Sequence, residues 1–126
     1  MNKILLIIEK GNGAINGRVH YEDNLIIESS DTIENLENNM KLLLQDFHGL
    51  DAKKIEFEYV YDITSLFDKF SYLKITSIAK KAHINPSLLR QYASGVKYPS
   101  SKQAKKLEST IHEIGKELID VALYVG

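Results

Sequence analysis

Hydrophobic residues in the first half of the chain mostly alternate with polar ones, whereas in the second half they recur every three or four positions. Lys3 to Glu9 is an apolar run with the length of a buried strand. In the next segment Ile15, Val19 and Tyr21 alternate with Asn16, Arg18 and His20, one face apolar and one wet. Gly11-Asn12-Gly13 and Glu22-Asp23-Asn24 are short connections rich in turn formers, so Lys3 to Ser29 reads as a three-stranded antiparallel meander. Asp31 with Glu34 marks a helix start, and Ile33, Leu36, Met40, Leu43, Phe47 and Leu50 then share one helical face. Finally Ile55, Phe57, Tyr59 and Tyr61 alternate with Glu56, Glu58 and Val60, the pattern of a half-buried fourth strand.

The helical period takes over from there. Ile63, Leu66, Phe67 and Phe70 lie on one face of a helix that Asp62 can cap, running to about Leu73. Ile75, Ile78, Ala79 and Ala82 repeat at i, i+3, i+4, i+7 in the next helix, with Lys74 a poor N-cap before it. Only His83 and Ile84 separate it from Asn85, a good N-cap followed by Pro86 at the first helical position. Histidine is among the side chains enriched at positive φ, which suits His83 to so tight a turn. The short helix Pro86 to Ser94 ends before Gly95. Its Leu88, Leu89 and Tyr92 form the buried face, leaving Ser87, Arg90, Gln91 and Ser94 on the other. Pro99 stops the following loop, Ser100 with Gln103 reads as a capping box, and Leu107, Ile111, Ile114, Leu118 and Val121 form the stripe of a long last helix. That stripe covers the chain's own core, joins a twofold partner, or does each at one end.

The expected fold is therefore α+β: an N-terminal βββαβ domain over residues 1–62, with an antiparallel sheet and one helix, followed by an all-α helix-turn-helix domain over residues 63–126. Charge follows the same division. Met1 to Asp62 carries 6 Lys and Arg against 12 Asp and Glu, and Ile63 onward carries 10 against 5, although the whole chain has a formal charge of only -1. A phosphate backbone repels the first half and attracts the second, so nucleic acid belongs to the second.

Other chemistry is poorly served. There is no cysteine, which excludes disulfides, thiol nucleophiles and cysteine-bound metals. His20, His48, His83 and His112 are scattered without metal-ligand spacing, so no metal, no catalytic residue and no enzyme activity are expected. Glu56 and Glu58 read as solvated strand surface, and "GNGAING" lacks the lysine of a phosphate-binding loop, so no cofactor is expected. The apolar start is too short for a membrane span or a signal core, giving an expected cytoplasmic location and no membrane partner.

The stretch "SIAKKAHINPSLLRQYASGVKYPS" resembles the Xre-type helix-turn-helix family, with Ala79 and Ala82 at the small positions of the helix crossing, Gly95 ending the second helix and Pro99-Ser100 opening the next. The resemblance implies binding of double-stranded DNA. Asn85, Ser87, Arg90 and Gln91 would face base edges or nearby phosphates in the major groove, with Lys97, Ser100 and Ser101 on the backbone. Arg90 and Gln91 suit that role because arginine pairs bidentately with guanine and glutamine with adenine. Two half-sites would call for a homodimer or higher oligomer. The N-terminal order, with "IIEKGNG" and "SSDTIENLENNMKLLLQDF", looks like the HicB family of antitoxins. That likeness implies a partner domain gripping a small basic RNA-cleaving toxin through its acidic surface, while the DNA-binding end represses the shared promoter. Two alternatives remain: a protein-interaction module that does not bind DNA, and a stand-alone repressor without a toxin.

Overall fold

The computed structural model describes residues 2–11 and 13–126. Its elements are β1 (Asn2–Gly11), β2 (Ala14–Tyr21), β3 (Asn24–Ser30), α1 (Ile33–His48), a 3₁₀ turn (Ala52–Lys54), β4 (Ile55–Tyr61), α2 (Ile63–Lys69), α3 (Ile75–Ala82), α4 (Pro86–Ala93) and α5 (Ser101–Ile119). The protein is α+β, and the chain divides into two compact units, residues 1–68 and 69–126.

In the first unit the sheet order is β3-β2-β1-β4. The three-strand meander is present, but the sheet is mixed rather than antiparallel, because β4 runs parallel to β1 from Asn2↔Ile55 to Ile8↔Tyr61. The direction follows from the connections. β3 ends where β1 ends, α1 carries the chain back across the sheet, and the next strand must then run the same way as β1. Only the sequence-distant pairing with β1 reveals this, and alternation within β4 is silent about it.

Alternation in β1 buries Ile4, Leu6 and Ile8, which pack with Val19, Ile55 and Phe57 against Leu36, Met40 and Leu44 of α1. The helical stripe therefore runs in four-residue steps through Leu44. Leu43 is only half-buried, and Phe47, expected on the same face, is 76% exposed. Leu36 approaches the sheet where β2 has a glycine. A Cβ placed on Gly17 would lie 2.9 Å from Leu36 Cδ2, so the absent side chain is what lets α1 sit this close.

Thr32, not Asp31, is the N-cap of α1: its Oγ1 accepts a hydrogen bond from the Asn35 backbone N–H at 3.0 Å. Asp31 instead accepts from Asn35 Nδ2 and Ser30 Oγ, and the Asn35 bond holds its carboxyl below the usual aspartate range. Gly49, at φ 67°, closes the helix in the left-handed conformation. At the first hairpin Gly13 has φ 76°, while Asn12 lies outside the described residues. In the β2–β3 turn both Glu22 and Asp23 have positive φ, 48° and 50°.

The expectation for the segment from Ile63 changes in one respect. Asp62 does cap α2, its Oδ1 accepting from Ser65 N at 2.8 Å, but its Oδ2 also accepts from Lys10 N at 3.2 Å and its own N–H donates to Ile8 O. Lys10 further pairs with Asp68. These bonds attach α2 to the end of β1, and the first unit extends through Asp68 rather than stopping at residue 62. By that division the first unit holds 6 basic against 13 acidic residues and the second 10 against 4.

In the second unit Ile78, Ala79, Ala82, Ile84, Leu89, Tyr92 and Leu107 are buried. The alanines leave little between α3 and its neighbours, so short helices can cross closely. The start of α5 covers this core through Leu107 and Thr110. Ile111 and Ile114 are half-buried, Leu118 is exposed, and Val121 lies beyond the helix end. No described helix is long and apolar enough to cross a membrane.

Two outcomes follow for the first unit. Gly17→Ala, which drives a methyl into Leu36, destabilises it by about 1–3 kcal/mol in denaturant titrations, and adding Leu36→Val recovers part of the loss. Tyr59 stacks on Tyr61 and donates to Glu37; burial, with that carboxylate, pushes its phenol up from 10.0 to about 12. A raised phenol favours the neutral folded form, so its contribution is present below pH 10 and fades as pH rises toward 12. An absorbance titration should show a tyrosine ionising near 12 that Tyr59→Phe removes.

Candidate nucleic-acid interface

Three helix ends set the geometry of α4. His83 closes α3 in the left-handed conformation, φ 58° and ψ 41°, and Ile84 N then bonds back to Ala79 O at 2.9 Å. That reverses the chain within two residues, as histidine in the turn foreshadows. Lys74 makes no side-chain capping bond at the other end of α3. Asn85 opens α4, its Oδ1 accepting from Ser87 N at 2.8 Å and Leu88 N at 3.3 Å, with Pro86 in the first turn. The helix ends at Ala93, Ser94 caps it, and Gly95 takes φ 80°. Val96 N and Lys97 N both bond to the Gln91 carbonyl, at 3.0 and 3.3 Å, so the loop after α4 is anchored to the helix.

Leu89 and Tyr92 face the core and Leu88 is half-buried, which leaves a polar face bearing Ser87, Arg90 and Gln91. Arg90 is not a loose side chain. Its Nη1 donates to Thr76 Oγ1 of α3 at 3.3 Å and its Nη2 to Ser87 Oγ at 3.2 Å. Both acceptors are neutral hydroxyls, so the guanidinium is steered without its charge being neutralised. Thr76 is a positioning residue that sequence reasoning missed. Its only local sign is a hydroxyl in the first turn of α3, and its pairing with Arg90 depends on how two helices cross.

The other expected residues fall into two groups. Asn85 and Ser100 are primarily caps: Asn85 Oδ1 is engaged on its own helix, and Ser100 Oγ accepts from Gln103 N at 3.2 Å. Only half of the expected capping box forms, since Gln103 Oε1 is buried without a hydrogen-bond partner. The amide nitrogen of Asn85 and the hydroxyl proton of Ser100 stay available to an external acceptor. Lys97 and Ser101 are exposed and, among the described residues, make no side-chain hydrogen bond or ion pair. The four histidines are not brought together, and no group of described residues could hold a metal ion.

No family model, curated protein or solved structure significantly matches this chain.

Asn85→Ala should cost about 1 kcal/mol through the lost cap. Hydrogen exchange resolves it as faster exchange of the Ser87 and Leu88 amides, with the α1 amides unchanged.

Proposed function

We propose that this chain is a DNA-binding transcriptional regulator of antitoxin type, with a C-terminal Xre-like helix-turn-helix and an N-terminal βββαβ unit of HicB-like order that binds a protein partner. One observation carries the DNA reading: Arg90 stands on the solvent face of α4, charged, unneutralised and steered by Thr76 and Ser87. A preset guanidinium loses less freedom on pairing with a base edge than a floppy one, which is what direct readout in the major groove needs. Gln91 lies next to it, and Lys97 and Ser101 supply a cation and a hydroxyl for phosphates. The excess of 10 basic over 4 acidic residues in this unit supplies the long-range attraction.

The partner reading rests on the sheet face that α1 leaves open. There Val60 pairs with Ile7 and Arg18 with Ile27, and Leu5, Leu25 and Ile27 are 50%, 50% and 60% exposed. Glu58, paired with Leu5, adds acid to this apolar face. Such a surface suits a basic protein that also brings apolar contact area, such as a small RNA-cleaving toxin. The exposed Leu118, Ile119 and Val121 past the α5 core contact favour a homodimer, which two DNA half-sites require. A module binding protein alone is the competing reading, favoured by these same apolar surfaces, and it gives Arg90 no role.

Titrating the full chain against its own upstream DNA and a scrambled duplex across salt concentrations separates them. Arg90→Ala and Gln91→Ala should each weaken native-duplex binding by about 1–3 kcal/mol and shrink the gap over the scrambled duplex. Thr76→Val should give a smaller loss. Equal, weak binding of both duplexes by the unmodified protein overturns the operator reading.

A further inference from the structure

A second basic feature lies away from Arg90. Lys81, Lys102, Lys105, Lys106 and His83 line an open groove of about 530 Å³ between α3 and α5, with Glu113 at one end. That volume is in the range of small-ligand sites. Lys102, Lys106, Ser109 and Glu113 step by four, three and four residues along α5, so they form one row on the helix. On α3, Lys81 follows Thr76 by five residues, a rotation of about 140° at 3.6 residues per turn. The groove therefore flanks α3 on the side away from the Thr76–Arg90 bond.

The lysines are placed against local physics. The N-terminal turn of a helix favours acidic side chains and disfavours cations, yet the first turn of α5 has no acidic residue and carries Lys102, with Lys105 and Lys106 following in the second turn, where the dipole has faded and their mutual repulsion is the cost. Lys102 and Lys106 are also a like-charge pair at i, i+4, which destabilises a helix further. Partners do not remove the conflict. Lys81 is bonded to Glu117 at 3.0 Å with Glu113 at 3.8 Å, and Lys106 Nζ donates to the His83 carbonyl at 3.1 Å. Lys102 and Lys105 have no ion-pair or hydrogen-bond partner among the described residues. A sequence that breaks the helix rules at one place points to a functional constraint there.

We infer that this groove is a binding site for a chain of phosphates, with Lys102, Lys105 and Lys106 as its cationic floor. A polyanion reverses each cost: it neutralises the repulsion among the lysines and lies at the positive end of the helix dipole. The groove's described lining has no Phe, Tyr or Trp, and its lysines outnumber its single imidazole, His83, so charge rather than base stacking dominates recognition and the phosphates are what it reads. Two sources share that chemistry, a soluble oligophosphate and the backbone of a nucleic acid.

Calorimetric titration of the full chain with inorganic triphosphate at low salt tests the site, using Lys102→Gln/Lys105→Gln and, as a charge-matched control in the other unit, Lys53→Gln/Lys54→Gln. The first pair should weaken triphosphate binding by about tenfold or more, through loss of two charge-assisted contacts, and the control should leave it unchanged. Because the substitutions relieve repulsion at the helix start, the ligand-free melting temperature of the Lys102/Lys105 variant should be equal to or above that of the unmodified protein, which separates a lost site from a lost fold. Adding an unrelated duplex then identifies the source. Displacement of triphosphate assigns the groove to nucleic-acid backbone, and simultaneous binding assigns it to a soluble oligophosphate. No triphosphate binding, or binding weakened equally in both variants, overturns the site.

Discussion

The polar surface of the second unit depends on a small core that works only because Ala79 and Ala82 are small. With those side chains α3 can lie close to its neighbours, and Ile78, Ile84, Leu89, Tyr92 and Leu107 fill what remains. Every distance that matters outside follows from that crossing. Arg90 reaches Thr76 because α4 cannot move away from α3, and Lys106 reaches the His83 carbonyl because α5 cannot either. A larger residue at either alanine would push the helices apart and loosen the Arg90 face and the basic groove together, without changing a single residue in either.

The first unit is organised differently. Its core is a helix laid across a mixed sheet, and what it leaves open is as informative as what it buries. One face carries Ile4, Leu6 and Ile8 against α1; the other presents Leu5, Leu25 and Ile27 beside Arg18 and Glu58. The division of charge between the units keeps these surfaces chemically distinct. A polyanion is drawn to one unit and repelled by the other.

What could be read from the sequence was whatever is decided within about one helical turn. Asn85, Pro86, His83 and Gly95 specify their own backbone conformations, and the structure has them at an N-cap, a first turn, a left-handed turn and a helix end. Where two neighbours offered the same chemistry, pattern reading chose wrongly: Asp31 over Thr32 for a cap, and Leu43 with Phe47 over Leu44 for the buried stripe. Three- and four-residue steps both keep a side chain near one face, and only the sheet beneath decides between them. Interactions between distant segments left no local trace. These include the parallel β1–β4 pairing, the Asp62 carboxylate joining β1 to α2, and the Thr76 hydroxyl beside Arg90. The lysines of α5 were visible as charge. The expected cap at Ser100 already put them near a helix start, and what the structure adds is the groove they share with Lys81 and His83 of the neighbouring helix.

The β2–β3 turn bears on how the chain reaches this fold. Its central residues, Glu22 and Asp23, both adopt positive φ although neither is glycine or asparagine. Aspartate tolerates that conformation but an unfolded chain seldom visits it at glutamate, so Glu22 weakens the local preference of the hairpin to form early. The sheet also needs the β1–β4 pairing, which closes a loop of about 50 residues and is slow for entropic reasons. Local self-consistency is greatest in α1, with its Thr32 cap and its left-handed close at Gly49. β3 sits at the sheet edge beside β2, so Leu25 to Ile27 have no strand partner until β2 is in place and keep one open side afterwards, a point at which the chain is vulnerable to association.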